Sequence, residues 1–143
     1  MRLWHKDLIT VLPRKQLLSQ WRECCAIARN ISVNGTPNHM LVNKVLGYPQ
    51  DHFAYYATLV SDEMELRGYK CDYSKFDKWW PVYRNNCTYD SLFKDWHNDR
   101  YLKQCFYNLQ EKYDCGGITK SEWNLICDKM FRKTTWFSEG LLS

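Results

Sequence analysis

The stretch RKQLLSQWRECCAIARNI, Arg14 to Ile31, decides the fold. Leu17, Trp21, Cys24, Ala28 and Ile31 recur at spacings of three and four, with Leu18 and Cys25 beside them. That period belongs to an α-helix that buries one face. Arg14, Lys15, Gln20, Arg22, Glu23, Arg29 and Asn30 fall on the remaining surface. Pro13 suits the start, where its missing N–H costs nothing. Asn34-Gly35 supplies a turn signal after the end.

Before this helix, residues 1–12 read as an extended or irregular arm. Leu3, Leu8, Ile9, Val11 and Leu12 are enough to pin it to a core, and it is long enough to fold back over the helix. After the helix, Thr36-Pro37 reads as a cap followed by proline, opening a short helix from about His39 to Leu46 that stops at Gly47. Tyr48-Pro49-Gln50-Asp51 opens a longer helix with Phe53, Ala57, Val60 and Met64 as its apolar stripe and Gly68 just past its end. Residues 69–88 mix bases and aromatics without clean periodicity, and Pro81 breaks any helix there. Asp90 is a candidate cap for a helix holding Leu92, Phe93 and Trp96. Another helix is expected over Arg100 to Tyr113, followed by a turn at Asp114-Cys115-Gly116-Gly117. Thr119 and Glu122 then have capping-box spacing ahead of Trp123, Ile126, Cys127 and Met130. No segment alternates as a strand does, and no repeat or low-complexity linker interrupts the pattern. The expectation is an all-α, single compact multi-helix domain over residues 1–143, with the N-terminal arm packed against the first helix.

Composition is consistent with that and adds limits. A chain of 143 residues with 45% hydrophobic content can bury a sizeable core as one domain. Aromatic residues make up 16%, including 7 Trp and 10 Tyr, which serve cores and also serve as platforms for bases. The net charge of +4 permits nucleic-acid binding without demanding it. No apolar run approaches the roughly 18 residues of a membrane span, and the first residues lack a signal peptide's apolar stretch. A cytoplasmic, monomeric protein with no membrane partner is therefore expected. The 7 cysteines form no Cys-x-x-Cys pair, and their odd number argues against a disulfide framework. They read as reduced, buried thiols. A zinc site from Cys87, Cys105, Cys115 and Cys127, or a metal held by His5, His39 and Glu23, is the alternative that the spacings do not favour. No metal and no cofactor is expected.

Met1-Arg2-Leu3, followed by Leu17-Leu18 and Trp21-Arg22-Glu23, resembles the start of the pyrimidine-dimer DNA glycosylases of the phage endonuclease V type. Glu65-Leu66-Arg67-Gly68-Tyr69 is similar to that family's ending of a long helix. The resemblance covers about residues 1–70, and residues 71–143 form a helical extension whose role it does not explain. It implies a DNA glycosylase, with possible AP-lyase activity, that excises a damaged or modified pyrimidine from double-stranded DNA through a Schiff base on the N-terminal amine. Glu23 is then the catalytic carboxylate, Met1 carries the amine, and Arg2 and Arg22 bind substrate. Where the family repeats an arginine one turn beyond the Arg-Glu pair, this chain has Ala26, with Arg29 a further turn along. Arg29 and His39 join the substrate-binding candidates, His39 because helix amino termini attract anions. Trp79, Trp80, Trp136 and Phe137 are candidates for stacking on bases, with burial in the core as the competing reading. The functional alternative is a non-catalytic nucleic-acid-binding module on the same scaffold.

Overall fold

The computed structural model describes residues 2–35 and 39–133. Met1, the Thr36-Pro37 cap and the aromatic tail with Trp136 and Phe137 lie outside the described residues. A short 3-10 helix, Lys6–Val11, is followed by α1 (Arg14–Asn34), α2 (Met40–Leu46), α3 (Gln50–Leu66), α4 (Ser74–Asp77), α5 (Asp99–Asp114) and α6 (Lys120–Lys133). There is no strand among the described residues, so the fold is all-α. None of these helices is long and apolar enough to cross a membrane.

Helix α1 runs three residues beyond the expected Ile31, to Asn34, and ends at Gly35 with φ of 73°. It packs on α3 and α4. Its buried face is Leu17, Gln20, Trp21, Cys24, Ile27 and Ala28. Gln20 therefore corrects the sequence reading, which set it on the surface. It sits three residues after Leu17 and four before Cys24, inside the apolar stripe. Helix α3 buries Phe53, Tyr56, Ala57, Val60 and Met64, and Gly68 follows its end with φ of 81°, as the left-handed stop requires. The arm joins the same contiguous core through Leu3, Trp4, Leu8, Ile9 and Leu12.

The expected helix around Leu92 to Trp96 is a run of turns instead. Phe93 and Asp95 take left-handed backbone, with φ of 49° and 74°. Tertiary partners explain why. The Phe93 N–H donates to His52 Nδ1 at 3.1 Å, and the Tyr48 hydroxyl donates to Lys94 O at 2.8 Å. The Phe93 ring is fully buried against Tyr48 and Trp96, with centroids 5.2 and 4.7 Å away. Packing and side-chain hydrogen bonds override local helix preference here.

The second half carries α5, capped by Asn98 Oδ1, which accepts from Tyr101 N at 2.9 Å, and α6. The capping box forms in full: Thr119 N donates to Glu122 Oε1 at 3.0 Å, and Glu122 N donates to Thr119 Oγ1 at 3.2 Å. Glu122 also accepts from Arg14 N at 2.9 Å and so ties the start of α6 to the start of α1. All seven cysteines are free thiols, but the expectation that they are buried holds only for Cys24, Cys87 and Cys105; Cys25, Cys71 and Cys127 are half-buried and Cys115 is exposed. Burial pushes the thiols of Cys24, Cys25, Cys71, Cys87, Cys105 and Cys127 up, which keeps them protonated and poorly nucleophilic.

Candidate active site

Within the arm, Lys6–Val11, expected as extended or irregular, forms the 3-10 helix and packs on α3 and α6. Only residues 2–5 of the arm are extended; they meet α1 at Gln20, without a neighbouring strand to satisfy their backbone. Side chains do that work. The Gln20 amide makes a two-way clamp: Nε2 donates to Arg2 O at 2.8 Å, and Oε1 accepts from Trp4 N at 2.7 Å. Tyr56 of α3 donates its hydroxyl to Trp4 O at 2.6 Å, and Tyr101 of α5 donates to Leu3 O at 2.7 Å. The Lys6 N–H donates to His97 Nδ1 at 2.9 Å, and the His5 ring stacks on His97 at 5.0 Å. Burial, with smaller effects from His5 and Lys6, holds the His97 imidazole well below its ordinary value. It is therefore neutral, as an acceptor at Nδ1 must be. Burial likewise pushes the Tyr56 and Tyr101 hydroxyls up, so both remain donors.

A second device fixes the other end of the arm. Arg67 donates from Nε to Glu63 Oε2 at 2.8 Å, from Nη1 to Leu12 O at 2.7 Å and from Nη2 to Thr10 O at 3.2 Å. The Arg67-Gly68 pair noted in the sequence is thus a bracket that holds the chain as it enters α1.

Along α1, Lys15, Gln16, Ser19, Gln20 and Glu23 follow one another at helical spacing and line a cleft of about 300 Å³. The arm contributes Arg2 and Trp4 to it, and α5 contributes Asn108 and Lys112. Glu23 and Arg2 therefore share one cavity. Arg2 is half-buried, with its guanidinium carbon 5.2 Å from the Trp4 ring centroid. It opposes the upward push of burial on the neighbouring Tyr101 hydroxyl and Cys105 thiol. Glu23 is half-buried, and no hydrogen bond or ion pair engages it among the described residues. Three cations and one carboxylate line the cleft, an arrangement suited to an anionic ligand.

The other sequence candidates lie elsewhere. Arg22 is exposed and reaches back along the helix, with Nη2 3.4 Å from Ser19 Oγ, so it borders the cleft without lining it. Arg29 sits 5.9 Å from the Trp79 ring and lines a separate shallow groove with Ala26 and Asn34. His39 caps α2, its Nδ1 accepting from Leu41 N at 3.2 Å, and it lines no part of the cleft. Trp80 is core and donates Nε1–H to Gln50 O at 2.8 Å, whereas Trp79 stays half-buried between Arg29 and Lys78. Among the described residues, no group of three or more His, Cys, Asp or Glu side chains is arranged to hold a metal ion.

Sequence reasoning missed Gln16, Gln20, Asn108, Lys112, Tyr56, Tyr101 and His97. Gln20 alone had a usable signal, a polar residue in register with an apolar stripe. Searches of curated proteins and of solved structures return no match. The family model described as pyrimidine dimer DNA glycosylase matches residues 1–77, from the arm through α4. That match spans more than half of the chain and takes in the arm, Gln20, Glu23 and the Arg67 bracket, and the chain accordingly belongs to the pyrimidine dimer DNA glycosylase family.

Proposed function

We propose that this DNA glycosylase excises a damaged or modified pyrimidine from double-stranded DNA by covalent catalysis at its amino terminus, with AP-lyase activity following from the same intermediate. The observation that carries the reading is that Arg2, the chain neighbour of Met1, lines the same cleft as Glu23. An α-amine has a reference pKa of about 7.7–8.0, so roughly a tenth of it is neutral at pH 7, far more than for a lysine at about 10.4. The neutral nitrogen attacks C1′ of the nucleotide. The C1′–N bond to the base breaks, and the base leaves with the electron pair and takes up a proton. The nitrogen then loses a proton, and the C1′–O4′ bond breaks as O4′ takes up a proton, which leaves a protonated imine. A base then removes a C2′ proton, the 3′ phosphate departs, and water releases the enzyme. Glu23 stabilises the cationic sugar as it develops and moves the protons. Arg2 in the cleft and Arg22 at its edge meet the flanking phosphates.

Borohydride tests the imine directly. It reduces the adduct to a stable amine, so incubation with an abasic duplex traps a protein–DNA complex whose DNA maps to the N-terminal peptide. Failure to trap an adduct while DNA binding is intact would overturn the Schiff-base mechanism. Glu23→Gln should lose about 100-fold or more in cleavage and keep its affinity for DNA. Normal cleavage by that variant would make Glu23 structural. A non-catalytic module gives salt-sensitive binding with neither adduct nor scission.

A further inference from the structure

The family match ends at residue 77, yet one wall of the Glu23 cleft comes from α5. Tyr101, Cys105, Asn108 and Lys112 follow at steps of four, three and four, so they share one face of that helix. The first two meet the arm: Tyr101 bonds Leu3 O, and Cys105 neighbours Arg2. The last two open into the cleft, facing a ligand space shared with Lys15 and Gln16 of α1.

Two features of the cleft point to a ligand. Lys15 and Lys112 are exposed, make no ion pair among the described residues and line the cavity together with Arg2. Three cations against the single carboxylate of Glu23 leave the cavity net positive, which favours an anion between the lysines. Gln16 lines the same cavity, and its Oε1, shielded from solvent, has no hydrogen-bond partner among the described residues. A buried acceptor left unsatisfied costs about 1–3 kcal/mol, which a turn of the amide toward a ligand donor in the cleft removes. Inorganic phosphate or a plain polyanion would satisfy the lysines and leave Gln16 as it is. A nucleotide unit carries both anionic oxygens and base N–H donors. The cleft volume of about 300 Å³ is of the size that takes one small ligand.

We propose that Lys112 and Lys15 form a phosphate-binding subsite of the Glu23 cleft, and that Gln16 accepts a hydrogen bond from a base N–H of the nucleotide held there. The assignment rests on the DNA-processing reading of the cleft. It makes α5 part of the substrate site rather than an appendage to the family-matched segment.

The test is binding of a fluorescent duplex bearing a tetrahydrofuran abasic analogue, followed by anisotropy across a salt series. Lys112→Ala and Lys15→Ala should each weaken binding about three- to ten-fold and lower the log–log salt slope by about 0.9, the share of one neutralised phosphate. Lys112→Arg should restore the slope, a result that a general packing role would not give. Gln16→Leu should weaken binding to DNA without changing the salt slope, and inorganic phosphate should compete equally well against it and the wild type. Lys70, exposed and outside the cleft, is the control, and Lys70→Ala should match the wild type. Circular dichroism melts establish that each variant is folded. If both lysine variants keep the wild-type slope and affinity, the subsite is refuted. Borohydride trapping by the wild type is read separately: an adduct alongside unchanged slopes removes the subsite and leaves the glycosylase mechanism standing. Reduced slopes without any adduct do the reverse.

Discussion

Replacing Gln20 with leucine removes the two-way clamp while nearly conserving volume. The side chain is 2% exposed, so the new leucine stays in the core and leaves little cavity. Two backbone groups lose their partners. The Trp4 N–H, bonded at 2.7 Å in a buried setting, is stranded at about 1–3 kcal/mol. The Arg2 carbonyl, bonded at 2.8 Å, is only partly buried and recovers some hydration, so leaving it unbonded costs about 0.5–1.5 kcal/mol. The burial of an apolar side chain in place of an amide offsets part of this. The net expectation is a destabilisation of about 1–3 kcal/mol, a large share of the roughly 5–15 kcal/mol that holds a domain together. Urea denaturation reads the free energy, and a thermal melt should fall by roughly 3–12 °C. Hydrogen exchange localises the effect, because the Trp4 amide should exchange far faster than amides inside α1 or α3. Borohydride trapping should slow as well, because the arm is no longer held at the cleft. A variant within about 0.5 kcal/mol of the wild type, with the Trp4 amide still protected, would show that the clamp does not hold the arm.

The remaining expectations are shorter. Glu23→Gln should leave stability within about 0.5 kcal/mol of the wild type by urea denaturation, since no hydrogen bond or ion pair among the described residues engages the carboxylate; a larger drop gives Glu23 a structural role. Arg67→Ala breaks the pair with buried Glu63 and frees the carbonyls of Leu12 and Thr10, which should cost about 3–5 kcal/mol; a cost below about 1 kcal/mol contradicts the bracket. His97 has its folded pKa depressed by burial below the ordinary 6.5, so the unfolded chain binds a proton that the folded one refuses. Stability should therefore fall as pH drops below about 6.5, by about 1 kcal/mol between pH 7.5 and 5.5, and His97→Gln should remove that share of the pH dependence in urea titrations.

Much of this architecture is legible in the sequence because it rests on local period and punctuation. The stripe from Leu17 to Ala28, the Gly68 stop and the Thr119–Glu122 capping box each follow from residues a few positions apart, and all are present. The turn region around Phe93 is not legible, because its backbone is held by His52 and Tyr48 from the start of α3 and the residues before it. Glu23 and Arg2 come from the resemblance, and the structure gives them a common cleft. Lys112 and Asn108 are beyond reach. A lysine in the last turn of a helix is ordinary charge complementarity with the helix carbonyls until the partner wall is known.

How the arm is held bears on how the chemistry is switched on. An extended segment with no strand beside it must satisfy its backbone groups one by one, and here each partner comes from a different part of the chain. Gln20 belongs to α1, Tyr56 to α3, Tyr101 to α5, and His97 to the turns before α5. No subset of these segments makes the whole set of bonds, so the arm docks fully only when all of them are packed. Docking is what fixes Arg2 at the Glu23 cleft. If Met1 is the nucleophile, the reactive geometry is then a property of the complete fold and not of the first helix, even though the carboxylate and the residues beside it are read from that helix alone. Holding reacting groups in place before substrate arrives contributes more to such a reaction than any one contact. On that proposal, the buried hydroxyls and the neutral imidazole beneath the arm serve the amine as the proposed role of Glu23 serves the sugar.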